Sequence, residues 1–153
     1  FFPKSFTPGC TLETRNFAGA YPEFQELGVE VVGISADTTS TQCSFADTMG
    51  ASFPMVGDKS GDVARAFEMR KGLMPMYKRV TFVIDEQGVV ERVFKVGFGI
   101  HSHAKEVLDY MRARTSITVP SVKMRMERVQ VESMHSCSRS TMDALGTLSV
   151  HKK

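Results

Sequence analysis

Short strand-like runs alternate with helical apolar periods along most of this chain, and the alternation limits the folds it can adopt. β-Branched and apolar runs typical of strands lie at residues 29–34, 53–56, 80–84 and 89–96. Apolar residues at helical spacing lie at residues 12–27, 38–49, 63–67 and 104–111. The pattern predicts an α/β fold in which helices flank a central mixed, partly parallel sheet.

Cys10 lies where a loop rich in turn residues meets the first helical period. Pro8 and Gly9 precede it, and apolar residues recur at helical spacing from Leu12 onward. The first turn of a helix offers unpaired N–H groups and the positive end of the helix dipole, and both favour a thiolate. Free cysteine elsewhere is usually buried and inert. The position therefore predicts a reactive thiol.

The residues around Cys10 resemble the active-site loop of the peroxiredoxins. Pro3, Thr7 and Cys10 reproduce that family's spacing of Pro, three residues, Thr, two residues and Cys. The string 7–11, Thr-Pro-Gly-Cys-Thr, is similar to the peroxiredoxin Q branch, also called the bacterioferritin comigratory protein (AhpC/TSA-like) branch. Further matching motifs lie in order at residues 33–37, 53–58 and 79–85. The resemblance covers residues 1–113 and implies a thioredoxin-like fold.

The same resemblance implies a thiol-dependent peroxidase that serves antioxidant defence and redox homeostasis. It would reduce hydrogen peroxide and organic hydroperoxides through a sulfenic acid on Cys10, which a thioredoxin-like donor would restore. Cleavage of an O–O bond needs a thiolate in line and donors for the developing charge. Thr7 would supply a hydroxyl, Pro3 would shield the sulfur, and Arg79 matches the family's catalytic arginine. Without the resemblance, Arg79 would be an ordinary cation at a strand edge.

Cys43 is the candidate resolving cysteine. Many peroxiredoxin Q proteins carry that cysteine five residues after the peroxidatic one, where this chain has Arg15. Some relatives carry it instead on the helix after the second strand, which is the position of Cys43. Two alternatives stay open: Cys43 packs its helix as a small apolar residue, or an external thiol attacks Cys10 directly. Cys137 lies in the C-terminal tail.

Three further residues carry weaker signals. Glu13, one turn after Cys10, either orients Arg79 or complements the helix N-terminus. His101 and His103 match no established metal-ligand spacing, so we interpret them as solvated loop residues. The sequence predicts no metal and no cofactor.

Composition restricts the partners. A formal net charge of +2 gives no reason to expect nucleic acid. No run approaches the roughly 18 apolar residues of a membrane span, so we expect a soluble protein. The expected partners are a peroxide and thioredoxin or a similar thiol reductant, and the expected assembly is a monomer or weak dimer.

A redox sensor or interaction protein that keeps the fold without turnover is the alternative function. A disulfide reductase is disfavoured because Cys10 has no C-x-x-C partner.

The two ends of the sequence differ from the middle. The chain opens on Phe1-Phe2-Pro3, which would suit the end of a buried strand, and peroxiredoxins bring earlier strands before this loop. We therefore expect that the N-terminal strands are missing, so the compartment is unknown, with cytoplasm or plastid expected.

Residues 1–113 hold 12 Lys/Arg against 14 Asp/Glu, whereas residues 114–153 hold 7 Lys/Arg against 3 Asp/Glu. We predict a peroxiredoxin domain over 1–113 and a disordered basic tail, rich in Ser, Thr and Met, over 114–153.

Overall fold

The computed structural model describes residues 1–69, 77–95, 99–116, 126–127 and 151–152. Helices and strands alternate as the sequence predicts. The elements are α1 (Pro8–Glu26), β1 (Gly33–Ser35), α2 (Thr39–Met49), β2 (Met55–Gly57), α3 (Asp62–Ala66), β3 (Val80–Ile84), β4 (Val90–Lys95), α4 (His103–Ser116), β5 (Met126–Glu127) and β6 (His151–Lys152). Helix α4 continues past the predicted boundary at residue 113, and β5 pairs with β6 antiparallel. Most of the predicted tail, including Cys137, lies outside the described residues.

The first two residues join two pairs of strands. Strands β1 and β2 run parallel, with Gly33 opposite Met55, and β3 and β4 form an antiparallel hairpin. Phe2 N donates to Ile34 O at 3.0 Å, and Val80 N donates to Phe1 O at 3.1 Å. The extended segment 1–2 therefore lies between β1 and β3 and brings the mixed sheet together.

The predicted strand over residues 29–34 is wrong in its first half. The strand begins only at Gly33, because the preceding backbone is bonded elsewhere. Val29 N donates to the Phe24 carbonyl at the end of α1, at 2.9 Å. Val31 N donates to the Glu30 carboxylate, which also accepts from the Tyr21 hydroxyl at 2.8 Å. This segment therefore closes the helix instead of extending the sheet.

Helix ends follow the expected chemistry. Thr38 accepts a hydrogen bond from Thr41 N at the start of α2, and Gly50 ends that helix in the left-handed conformation, with φ of 64°. Pro8 occupies the first position of α1, where its missing N–H costs nothing. These local signals explain why the two helices that flank the site begin where the sequence indicates.

Helix α1 forms the centre of the core. It packs against α4 and α2, and its buried aromatic side chains meet those of the other elements. Phe17 stacks on Phe24 at 6.0 Å between ring centroids, and Tyr21 meets Phe53 edge to face at 5.5 Å. On α4, the predicted apolar face is confirmed, since Val107, Leu108 and Met111 are all buried. The core thus fixes α1 along its length and sets the position of its first turn.

Candidate active site

Cys10 lies in the first turn of α1 as the sequence predicts. It is a free thiol and its side chain is almost fully buried, with a relative exposure of 1%. The N-cap residue Thr7 makes no side-chain hydrogen bond to the turn. Because Pro8 has no N–H, the first-turn donors without a carbonyl partner inside the helix are those of Gly9 and Cys10. The positive end of α1 therefore acts on the sulfur.

Arg79 reaches the thiol from the strand side. It directly precedes β3, and its Nη2 donates to Cys10 Sγ at 3.4 Å. The Arg79 side chain is largely buried, with a relative exposure of 11%. A guanidinium is always charged, so it places a fixed positive charge and several N–H donors beside the sulfur.

Glu13 holds Arg79 in that position. Its carboxylate accepts from Arg79 Nη1 in a buried ion pair. Burial raises the pKa of the Glu13 carboxyl, an effect that the charge of Arg79 only partly offsets. Of the two interpretations of Glu13 from the sequence, the structure favours the orientation of Arg79. A carboxylate on one nitrogen and a thiol on another fix the plane of the guanidinium.

Thr7 and Pro3 flank the site in the preceding loop. The Thr7 hydroxyl donates to the Lys4 carbonyl at 3.0 Å, so its one proton is directed into the loop instead of toward the sulfur. Its oxygen retains lone pairs that can accept from a peroxide O–H. Pro3 is half-buried.

A buried polar network that the sequence analysis missed anchors this loop. Ser5 N donates to Asp37 Oδ2 and Ser5 Oγ donates to Gln42 Oε1, both at 2.7 Å. Asp37 also accepts from Ser35 Oγ, and Gln42 Nε2 donates to the Val56 carbonyl. Ser35 and Asp37 belong to the motif at 33–37, and that motif was the available signal. The network ties the loop before Cys10 to the end of β1 and to α2.

Cys43 is half-buried on α2, next in sequence to Gln42. It is engaged in a disulfide in this structure, whereas Cys10 is a free thiol, so the two cysteines are not joined to each other.

The interpretation of His103 as a solvated loop residue is wrong. His103 is the first residue of α4, and its relative exposure is 1%. Its Nε2 lies 2.9 Å from Thr81 Oγ1 and 3.7 Å from Glu13 Oε1. The missed signal is its spacing, because His103, Val107 and Met111 recur every four residues on the buried face of α4. His101, by contrast, is exposed as expected.

Within the part of the chain that the structure describes, no group of three or more His, Cys, Asp or Glu side chains is placed to hold a metal ion. Nor does any described helix combine the length and apolar character that crossing a bilayer requires.

Comparison with known protein families shows to which family a chain with this site belongs. The AhpC/TSA family matches residues 1–93, which include Cys10, Glu13 and Arg79. The chain belongs to the AhpC/TSA family. Its curated relatives are named as peroxiredoxins, so the resemblance seen in the sequence is confirmed.

Similar proteins come from bacteria and plants. A putative peroxiredoxin of Mycobacterium tuberculosis is 38% identical over 117 residues, which are 74% of this chain and 75% of that protein. Peroxiredoxin Bcp of Xanthomonas campestris is 32% identical over 119 residues, with 74% of each chain covered. The chloroplastic peroxiredoxin Q of Sedum lineare is 32% identical over 114 residues, covering 74% of this chain and 61% of that protein.

Solved structures confirm the predicted fold. Peroxidoxin BcpB of M. tuberculosis aligns with a TM-score of 0.68 at 37% identity, covering 74% of this chain and 75% of its own. Peroxiredoxin Q of X. campestris aligns with a TM-score of 0.69 at 32% identity, with the same coverage. These neighbours are thioredoxin-fold peroxiredoxins, so this AhpC/TSA chain is an α/β protein of the thioredoxin-like class.

Proposed function

We propose that this protein is a thiol-dependent peroxidase that reduces hydrogen peroxide and organic hydroperoxides through Cys10. The observation that carries the proposal is the 3.4 Å contact between Arg79 Nη2 and Cys10 Sγ at the N-terminus of α1. A fixed cation and a helix dipole both stabilise a thiolate, and the thiolate is the nucleophilic form of cysteine. Membership of the AhpC/TSA family supports the assignment.

The first step transfers one oxygen atom to sulfur. The Cys10 thiolate attacks a peroxide oxygen, and an S–O bond forms as the O–O bond breaks. The second oxygen leaves as hydroxide or alkoxide and takes up a proton, which leaves a sulfenic acid on Cys10. The guanidinium of Arg79 and the N–H groups of Gly9 and Cys10 supply donors for the charge that develops on the oxygens. The Thr7 oxygen accepts from the peroxide O–H, and Pro3 limits the access of water.

The second step restores the thiol. A thiol attacks the sulfenic sulfur, water leaves and a disulfide forms; a thioredoxin-like dithiol then reduces that disulfide by exchange. Cys43 is the internal candidate for this attack. Ser5, in the loop before Cys10, is hydrogen-bonded to Gln42, which precedes Cys43 on α2. This bond supports the proximity of the Cys10 loop to the helix that carries Cys43. Cys43 can attack only as a free thiol, so the protein must be fully reduced before an assay.

Resolution by Cys43 requires α1 to open at its first turn. Opening must expose a buried side chain and break its contact, since Cys10 is buried and in contact with Arg79. Oxidation of the thiolate to a neutral sulfenic acid removes the negative charge beside the guanidinium. Loss of that charge weakens the contact with Arg79 and favours opening of the turn.

The proposed setting is antioxidant defence in the cytoplasm or a plastid, as a monomer or weak dimer. Chloroplastic relatives from several plants support the plastid alternative.

Peroxide consumption coupled to thioredoxin, its reductase and NADPH tests the function. We expect turnover by the reduced protein and none by Cys10→Ser. Turnover retained in Cys10→Ser would overturn the assignment of the nucleophile. A wild type that reacts once with peroxide but is not recycled would favour the redox-sensor alternative.

A further inference from the structure

His103, on α4, is buried against three other elements on the active-site side of the fold. Its ring meets Phe17 of α1 edge to face at 5.7 Å between centroids, and Phe94 of β4 at 6.5 Å. Its Nε2 lies at hydrogen-bond distance from Thr81 on β3, 2.9 Å from Oγ1. The aromatic rings at its sides and the hydroxyl at its tip hold the imidazole in this position.

That position places His103 behind the ion pair that faces Cys10. Its Nε2 is 3.7 Å from Glu13 Oε1, while the other oxygen of Glu13 accepts from Arg79. The distance is too long for a hydrogen bond, so the imidazole acts on the carboxylate as a packing neighbour and a dipole. A continuous series of contacts thus runs from Cys10 through Arg79 and Glu13 to His103.

The imidazole is neutral at neutral pH. Burial lowers the pKa of His103 to about 4. Glu106 on α4 opposes this change, and the amino group of Phe1 and Arg79 reinforce it. Glu13, on α1, also faces the ring. A charged imidazole would compete with Arg79 for the Glu13 carboxylate, whereas a neutral one leaves that carboxylate to Arg79.

We propose that His103 is a positioning residue, which together with Thr81 holds Glu13 against Arg79 and so directs Arg79 at Cys10. The proposal rests on the proposed function, since it assigns a role in the same site. His103 touches neither the sulfur nor a peroxide, so its effect passes through Glu13. Removing its polar atom would take away the dipole that faces Glu13 Oε1 and let the carboxylate shift, and a small displacement of Arg79 is enough to slow a reaction that depends on alignment.

Two substitutions distinguish a positioning role of His103 from a role in packing alone. His103→Phe keeps an aromatic ring but removes the nitrogen near Thr81 and Glu13, whereas His103→Gln keeps a polar group that can reach Thr81. The readouts are the pH midpoint of iodoacetamide alkylation of Cys10 and the rate of a single turnover with hydrogen peroxide. We expect His103→Phe to move the midpoint up by about one pH unit and to slow peroxide reduction about tenfold. His103→Gln should recover most of both.

His101→Phe is the matched control, because this neighbouring histidine is exposed and its contact with Asn16 uses only the backbone carbonyl. It should leave both readouts unchanged. An unchanged midpoint and rate in folded His103→Phe would overturn the proposal. Equal loss of stability in the Phe and Gln variants, with an unshifted midpoint, would also overturn it by showing a purely structural role.

A third variant decides the matter if His103→Phe does not fold. Thr81→Val removes the hydroxyl that anchors the imidazole, and it should move the midpoint in the same direction by a smaller amount. No movement would contradict the proposal. The alkylation readout needs no peroxide, so it judges His103 even if the wild type proves to be inactive as a peroxidase.

Discussion

Gly9 lies so close to Arg79 that no side chain fits between them without displacement. A Cβ atom at Gly9 would stand 3.2 Å from Arg79 Nη2 and 3.2 Å from Ile100 Cδ1. The absence of a side chain at residue 9 therefore lets the guanidinium approach the first turn of α1 and the sulfur of Cys10.

Gly9→Ala should therefore move Arg79 by a few tenths of an ångström and slow peroxide reduction several-fold, about three to tenfold. Gly19→Ala is the matched control on the same helix, since a Cβ there meets no atom within 4 Å. That control should raise the free energy of unfolding by about 0.5–1 kcal/mol and leave the rate unchanged. Single-turnover kinetics and urea unfolding measure the two effects. A Gly9→Ala enzyme as fast as the wild type would show that this close approach does not matter.

Arg79→Ala should affect both activity and stability. Loss of the donor beside the sulfur should slow the reaction about a hundredfold or more and move the alkylation midpoint of Cys10 to higher pH. It also leaves Glu13 buried without its partner, which costs about 3–5 kcal/mol.

The double variant Arg79→Ala/Glu13→Gln separates the two effects, because it removes the unpaired charge. We expect it to regain stability but not rate. A rate restored together with stability would mean that Arg79 acts only through the fold.

Much of this site follows from local sequence, and the rest depends on contacts between distant segments. The place of Cys10 on α1 follows from Pro8, Gly9 and the apolar period after them, all within a few residues. Glu13 could be given two roles because its partner, Arg79, lies 66 residues away. The four-residue spacing of His103, Val107 and Met111 places His103 on the buried face of α4, but Thr81 and Glu13, which it meets there, lie on distant segments, so the spacing alone gives it no role.

The strand error at residues 29–32 has a similar cause. The β-branched run favours a strand, but the Glu30 carboxylate and the carbonyl of Phe24 take the backbone donors first. Local hydrogen bonds of this kind, to a side chain or to the end of a helix, compete with a sheet, and residue propensities do not show them. The pairing of residues 1–2 with β1 and β3 was likewise not apparent, since it joins segments far apart in the chain.

Ser5→Ala should loosen the loop that leads to Cys10. It leaves Gln42 Oε1 buried without its donor, at a cost of about 1–3 kcal/mol. Because the loop is then less firmly held to α2, the conversion of the Cys10 sulfenic acid to a Cys10–Cys43 disulfide should be faster, although the preceding reaction with peroxide slows. Ser44→Ala, on the exposed side of the same helix, is the control. Non-reducing peptide mapping over time measures the link, and equal rates in the two variants would show that the attachment of this loop to α2 does not limit formation of the disulfide.

Burial of a neutral His103 should make the wild type less stable in mild acid, because only the unfolded chain can protonate it there. Burial lowers its pKa from 6.5 to about 4, so between these values the unfolded chain binds a proton that the folded protein does not. The free energy of unfolding should therefore fall as the pH drops through this range. Glu13 has the opposite effect on stability at pH values just above 4.5, the ordinary pKa of a glutamate. Burial raises the pKa of Glu13, so on lowering the pH the folded protein binds this proton before the unfolded chain does.

Comparison with His103→Phe isolates the histidine, since Glu13 is present in both proteins. The difference in unfolding free energy between wild type and variant should grow as the pH rises from about 4 to 6.5 and stay level above that. The same comparison with His101→Phe should be flat. A flat difference for His103→Phe would show that the imidazole is not held neutral by burial.

Trapping of the oxidised cysteine tests the central claim most directly. The fully reduced protein is mixed with one equivalent of hydrogen peroxide in the presence of dimedone, and its peptides are mapped by mass spectrometry. If Cys10 is the peroxidatic residue, the wild type should carry the adduct on Cys10, or a disulfide from Cys10, while consuming the peroxide. Cys10→Ser should consume none. An adduct confined to another cysteine, or peroxide consumed equally by Cys10→Ser, would contradict the account.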